Sequence, residues 1–426
     1  MSKKTLTIIV SVILVLFVIS LIAYYLLINR NPDGTGGGLN FRSFLPFGGD
    51  SYTNNDTSEN NQNNPNGQGN QTEVEPQVDQ NDFLKRLRKI SDVPVSGYGV
   101  SDIKAGTVLR YIEKATGHIY EVEMFSPRKE RVSNTTIPLS YDAKWGNKNN
   151  SMLARYLNDN SQIITSYLLN INESTTTQRT ITSIDLPENI ADVSTFGNKA
   201  FYLVGGQTGS AGFVSTFDNK SVQKVWSSDI KEFNSQFVND RTVALTTKPS
   251  PRIPGYLYFI NTTNGVATRV LGKIEGLSAL VNPTATEIAY LDNADFSYNV
   301  YTVKDASKVN ISPVTFPEKC VWSKAYSELL YCAVPNKQLD ENSLINWYQG
   351  REQFTDELYI YNTKISVSFQ IENIRQESGE DLDIYNLTMS DNGQFLLFMN
   401  KKDNSLWSLN ITEIATSTTY GYNPTQ

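Results

Sequence analysis

Histidine is almost absent from this chain of 426 residues: there is one, His118. A Ser-His-Asp triad would have to use it, and a zinc site built on several histidines has no ligands. His118 lies in KATGHIYE, where Thr116 and Gly117 read as a hairpin turn, and no G-x-S-x-G nucleophile elbow occurs. No catalytic role is assigned to it. Cysteine is nearly as scarce, with two residues, Cys320 and Cys332, in CVWSKAYSELLYC. Basic runs are missing apart from LKRLRK at 84–89, and the net charge is −7. Nucleic acid is therefore excluded as a partner. The glycine-rich VGGQTGSAGF at 204–213 has no lysine and precedes a strand, so it is a turn and not a phosphate loop. No EF-hand loop occurs. The expected cofactor and metal complement is none.

One long apolar run is present. Residues 6–28 hold 23 positions without a charge, enough to cross the ~30 Å hydrocarbon core as a helix. No small-x-small cleavage site follows, so residues 1–30 read as a cytoplasmic tip and an uncleaved anchor. Tyr24 and Tyr25 suit the interface, and Lys3 and Lys4 before the span favour a cytoplasmic amino terminus. The rest of the chain is then outside the cytoplasm. Residues 31–82, rich in Asn, Gly and Gln, read as a disordered linker with a reach of about 40 Å. Inside it, FRSFLPFGG at 41–49 reads as a membrane-surface contact or a segment without a role, with a docking motif as the alternative. Ten N-x-S/T sequons, Asn134, Asn261 and Asn310 among them, read as Asn- and Thr-rich turns.

From residue 83 the chain becomes short β-type runs separated by turns. One strand type recurs at HIYEVEM, SYLLNI, GFVSTF, YLYFIN, NVYTVK, ELYIYN and SLWSLN. The first residues of their apolar pairs, from Ile119 to Leu406, are 43 to 48 residues apart, with one interval of 58. A second type precedes each: VLRYIE, MLARYLN, KAFYLVG, TVALTTK, EIAYLDN, ELLYCAV and QFLLFMN. Seven hairpins at a period near 45 predict an all-β, seven-bladed β-propeller of four-stranded blades. A two-sheet sandwich would not need seven near-equivalent hairpins.

With strands A to D numbered outward from the axis, Cys320 falls in strand A and Cys332 in strand B of blade 6. They are symmetric about Tyr326 in the turn, which places them opposite each other. Unpaired thiols would pack as small hydrophobes, but this symmetry in an oxidising compartment predicts a Cys320–Cys332 disulfide. A ring also needs closure. The last blade lacks a strand D downstream, where 412–426 is a polar tail. Upstream, LRKISDVPV resembles KERVSNTTIP, the strand D of blade 1 and its exit. The propeller therefore spans 83–411, with 87–91 as strand D of the last blade and 95–100 opening blade 1. The alternative is a short amphipathic helix over 84–90.

MSDNGQFLLFMNKKDNSLWSL at 389–409 resembles the Asp-Gly-containing repeat of WD-repeat-like and Tol-system propellers. LRKISDVPVSG, RYIEKATGHIYEV, SNTTIP, LYCAVP and WYQG are similar to anchored propeller proteins of candidate-phyla bacteria of the Parcubacteria type. The resemblance covers about 83–410 with the anchor-and-linker layout. It implies an envelope location and brings no catalytic residue.

The expected function is a membrane-anchored, extracytoplasmic module that binds or scaffolds an envelope or cell-surface protein or glycan. Propellers bind through loops on one face. The longest B–C loop, PNKQLDENSLINWYQGREQFTD, accounts for the interval of 58 and carries Trp347, Tyr348 and Arg351, residue types common in binding hot spots. The first two can equally fold back as a small core beneath the loop. The rival is an envelope hydrolase of glycan or peptide with a carboxylate site at the channel. Its nearest candidates, Glu352, Asp356 and Glu357, read more simply as the solvated start of strand C.

Overall fold

The computed structural model describes residues 82–132, 136, 138–157, 164–172 and 179–412. The expected anchor, the linker and the tail beyond 412 lie outside them. Among the described residues no helix is long and apolar enough to cross a membrane.

Seven antiparallel sheets of four strands each form the predicted propeller. Blade 1 runs Val95–Ile103, Gly106–Glu113, Ile119–Glu123 and Lys129–Arg131, in the order A-B-C-D. The inner strands of blades 2 to 6 are Ser140–Gly146, Ile190–Phe196, Phe233–Asn239, Ser278–Val281 and Cys320–Trp322. Blade 7 takes Ile384–Met389, Phe395–Asn400 and Leu406–Asn410 from the carboxyl end and Leu87–Ser91 from the amino end. The register pairs Leu87 with Leu409 and Lys89 with Trp407. This is the predicted closure. Only Asp82–Leu84 is helical, as a single 3-10 turn, and the expected alternative of a helix over 84–90 is overturned. Leu87 and Ile90 instead become buried on opposite faces of the closing strand, as a strand's period of two requires.

The core lies between blades. Each of the seven blade junctions has its own apolar cluster, for example Leu109 and Tyr111 of blade 1 against Ile90, Leu397 and Met399 of blade 7. A blade is covered on both faces, so its middle strands are buried on both sides: Leu329–Pro335 and Phe395–Asn400 are buried at every position. The outer strands read polar because one edge meets water, as in Ser307–Ile311. Inner strands are tied across junctions by side chains that bond backbone. The Gln236 amide donates to the Val281 carbonyl (2.7 Å) and accepts from its N–H (2.8 Å). Tyr98 of blade 1 donates to the Leu397 carbonyl of blade 7 (2.9 Å). At Gly97 the packing is so close that a Cβ would lie 2.1 Å from the Ala143 carbonyl oxygen, so only glycine fits.

Antiparallel order puts the D–A and B–C connections on one face and the A–B and C–D turns on the other. We call these the loop face and the turn face. Cys320 and Cys332 are direct partners in the ladder of blade 6, with Cα atoms 4.1 Å apart, and they are bonded to each other.

Candidate functional site

The B–C insertion of blade 6 dominates the loop face. It contains one short helix, α1 (Ser343–Tyr348), and a second, α2 (Ile374–Ser378), lies between blades 6 and 7. Leu344 and Trp347 turn inward with Phe354 and pack on Phe316 and Leu291. Trp347 is 3% exposed, and its indole N–H donates to both oxygens of Asp383 (2.9 and 3.1 Å). Of the two readings of the loop, the small core is the one adopted. Tyr348 keeps a partly exposed ring, while its hydroxyl donates to Glu318. Burial, then the Glu318 charge, raise its pKa well above the ordinary phenol value. Arg351 is exposed. The three residues predicted as one hot spot thus have three fates.

Beneath the insertion lies a charge cluster that sequence reading missed. Lys319 is fully buried, and its Nζ donates to Asp356 Oδ2 and to Asp383 Oδ1, each at 2.6 Å, and to the Ile384 carbonyl at 3.0 Å. Asp356 is not the solvated start of a strand: it has no exposed surface, because the insertion folds across it and Lys319 lies against it. It also accepts from the Ile384 N–H (2.6 Å), while its Oδ1 is without a partner. Burial raises its pKa to about 6, against the pull of Lys319 and with the push of Asp383. Asp383 further accepts from the Phe354 N–H (3.1 Å). Lys401 Nζ lies 4.7 Å from the Trp347 ring and Lys319 Nζ 4.9 Å from it, so two cations flank the indole. The other two predicted carboxylates are engaged nearby. Glu352 pairs with Lys337, and Glu357 accepts from the Ile374 N–H and from Gln370 (3.3 Å each).

The insertion is also fastened sideways. Arg252 of blade 4 pairs with Glu341 (2.5 Å), and Asn293 of blade 5 donates to the Glu341 carbonyl (2.9 Å). Next to this strap, between the B–C loop of blade 4 and the D–A connections on either side, is a cleft of about 350 Å3. Ile230, Pro249, Ile253, Pro254 and Tyr256 form its apolar walls, with Lys231 and Lys248 also lining it. Three prolines, Pro249, Pro251 and Pro254, stiffen the loop that makes one wall. That size falls within the range of ligand-binding clefts. No periodic signal could have shown it.

His118 lies in the B–C turn of blade 1, with Nε2 3.1 Å from the Thr136 hydroxyl. Among the described residues, no group of three or more His, Cys, Asp or Glu is placed to hold a metal ion.

No protein-family model and no curated protein matches this chain, so neither supports the resemblance to candidate-phyla proteins. Solved structures align with it. An oligogalacturonate lyase in complex with manganese gives a TM-score of 0.46 at 10% identity, over 76% of this chain and 98% of the other. The oligogalacturonate lyase of Vibrio parahaemolyticus gives 0.46 at 9%, over 76% and 98%. TolB from Acinetobacter baumannii gives 0.37 at 11%, over 77% and 64%. At these scores the likeness carries no functional argument, and the fold rests on the seven sheets of this chain.

Proposed function

We propose that the protein is a membrane-anchored, extracytoplasmic binding or scaffold module that receives an envelope or cell-surface partner on its loop face. One observation carries this reading: the loop face offers an open, apolar-walled cleft, whereas the carboxylate pair beneath the insertion is sealed. Asp356 and Asp383 share Lys319 without exposed surface, so no substrate reaches them in this conformation. Glycoside or peptide hydrolysis by paired carboxylates needs both groups at the bond that breaks. The cleft holds aliphatic side chains in water, Ile253 above all, and a stiff wall loses little entropy when a partner binds.

The test is a photoreactive residue at Ile253 in living cells, with one at Val309 on the outer rim of blade 5 as the control. Covalent capture of the same discrete partner from Ile253, absent from Val309, is expected. Equal capture from both positions, or turnover of envelope glycan or peptide by the purified chain, would reject the binding reading.

A further inference from the structure

The turn face has a character of its own. Six of the eight large apolar side chains that reach furthest into water are Leu84 (69% exposed), Val266 (58%), Ile365 (55%), Phe125 (54%), Ile103 (51%) and Val222 (49%). All six belong to this face, at the end of strand A in blade 1, at C–D turns, or at the lead-in to the closing strand. The loop face has two of comparable exposure, Ile253 and Tyr141. All six have a basic residue within three positions: Lys85 and Arg86, Arg269, Lys364, Arg128, Lys104, and Lys220. Lys104 and Lys364 have no ion-pair partner among the described residues, while Lys220 pairs with Asp218 and Arg128 with Glu123 and Glu130. The connections of the loop face carry more carboxylates than bases: Asp229, Glu232, Asp340, Glu341, Glu380 and Asp381 stand among Lys231, Lys248, Arg252, Lys337 and Arg351. The closing strand begins on the turn face, with Leu87 beside Asn410.

We infer that the turn face docks on an anionic phospholipid surface, with the C–D turn tips of blades 1, 3, 4 and 6 and residues 103–104 set into the interfacial layer. Single apolar side chains gain there what they cannot gain in water, and flanking lysines meet lipid phosphates. The most exposed apolar tips, concentrated on the face whose turns carry Lys104 and Lys364 without ion-pair partners among the described residues, fit that surface by charge and by depth. The placement leaves the loop face and its cleft turned away from the membrane. It draws on the anchor reading only for the local concentration of lipid, since a tethered ring meets the bilayer continually.

The experiment uses the full chain in vesicles of phosphatidylcholine, with and without phosphatidylglycerol. A polarity-sensitive dye is attached at Ile365→Cys, Val266→Cys or Ile253→Cys; the native cysteines are bonded and buried, so they do not react. The dyes at 365 and 266 are expected to shift blue and to lose emission to bromine-labelled acyl chains when phosphatidylglycerol is present. The dye at 253 is expected to behave as in detergent. High salt, or Lys104→Glu with Lys364→Glu, should weaken the quenching at 365 and 266. Equal quenching at 253 and 365 would overturn the inference, as would none at 365 and 266. The second result is also the one expected if the face serves a protein partner. Extraction by alkaline carbonate tests the anchor separately. A chain that washes off loses the anchor reading, and quenching by added vesicles then still decides the docking.

Discussion

At Asp356 the folded protein holds a carboxyl in a dry site with one cation on one oxygen and nothing on the other. Ionisation costs more there than in the unfolded chain, so its pKa rises from 3.8 to about 6. The sign follows. A carboxyl with a raised folded pKa supports stability fully below its unfolded value and loses that support as pH climbs through the folded value. About two units correspond to about 3 kcal/mol by linkage. Glu318 and Asp192, also raised by burial, act in the same direction. Asp142, which Lys144 and Arg155 hold down despite its burial, opposes them. The melting temperature is therefore expected to fall between about pH 4 and pH 6. Asp356→Asn should flatten that slope, and calorimetry across the range checks it. A variant with the wild-type slope would remove Asp356 as its source.

The disulfide belongs to the same scale. Cys320 and Cys332 are separated by 12 residues, and closing a loop of that size is worth about 3 kcal/mol in the chain-entropy model. Replacing both by alanine should lower the denaturant midpoint accordingly. Peptide mapping of an unreduced digest should recover the linked pair.

At the scale of the element, the blade 6 insertion is a packed strap, and its residues should respond by burial. Trp347→Ala empties the small core and takes a donor from Asp383, which already lies in a dry site. Truncation of a buried tryptophan costs about 3 to 5 kcal/mol. Arg351→Ala removes an exposed side chain and should stay within about 0.5 kcal/mol. Thermal melts, together with protease nicking inside 336–355, measure both. Small, equal effects would show that the strap does not support the blade.

At the scale of the molecule, the ring closes by one strand of five residues, Leu87–Ser91. It is fastened by more than its ladder. Arg86 pairs with Glu372 (2.6 Å) and Lys89 with Glu380 (3.0 Å), and Ile374 of α2 packs in the same apolar cluster as Leu87. Removing residues 1–92 opens blade 7 along the Leu406–Asn410 edge and should lower the melting temperature clearly. Removing 1–82 should leave it unchanged. Two truncations that melt alike would sink the clasp.

Sequence by itself determined the blade count, the order of strands, the closing strand and the disulfide. Each is a local pattern repeated along the chain. Strands of one kind keep the same apolar spacing in every blade, so HIYEVEM at blade 1 predicts SLWSLN at blade 7. LRKIS could be recognised as a strand D because KERVS shares its order of basic residue, apolar residue and serine, followed by a turn and a proline. What only the tertiary structure decided are meetings with no period. Lys319, Asp356 and Asp383 come from three connections around blades 6 and 7, and nothing in their spacing marks them as partners. A charged residue at the start of a strand is read as solvated because burying one charge alone is costly, and that rule held for each until the stacking of blades supplied the others. Trp347 follows the same logic: its sequence context fits a hot spot or a core, and the choice fell to Asp383, a hydrogen-bond acceptor 36 residues away that only the fold brings within 2.9 Å.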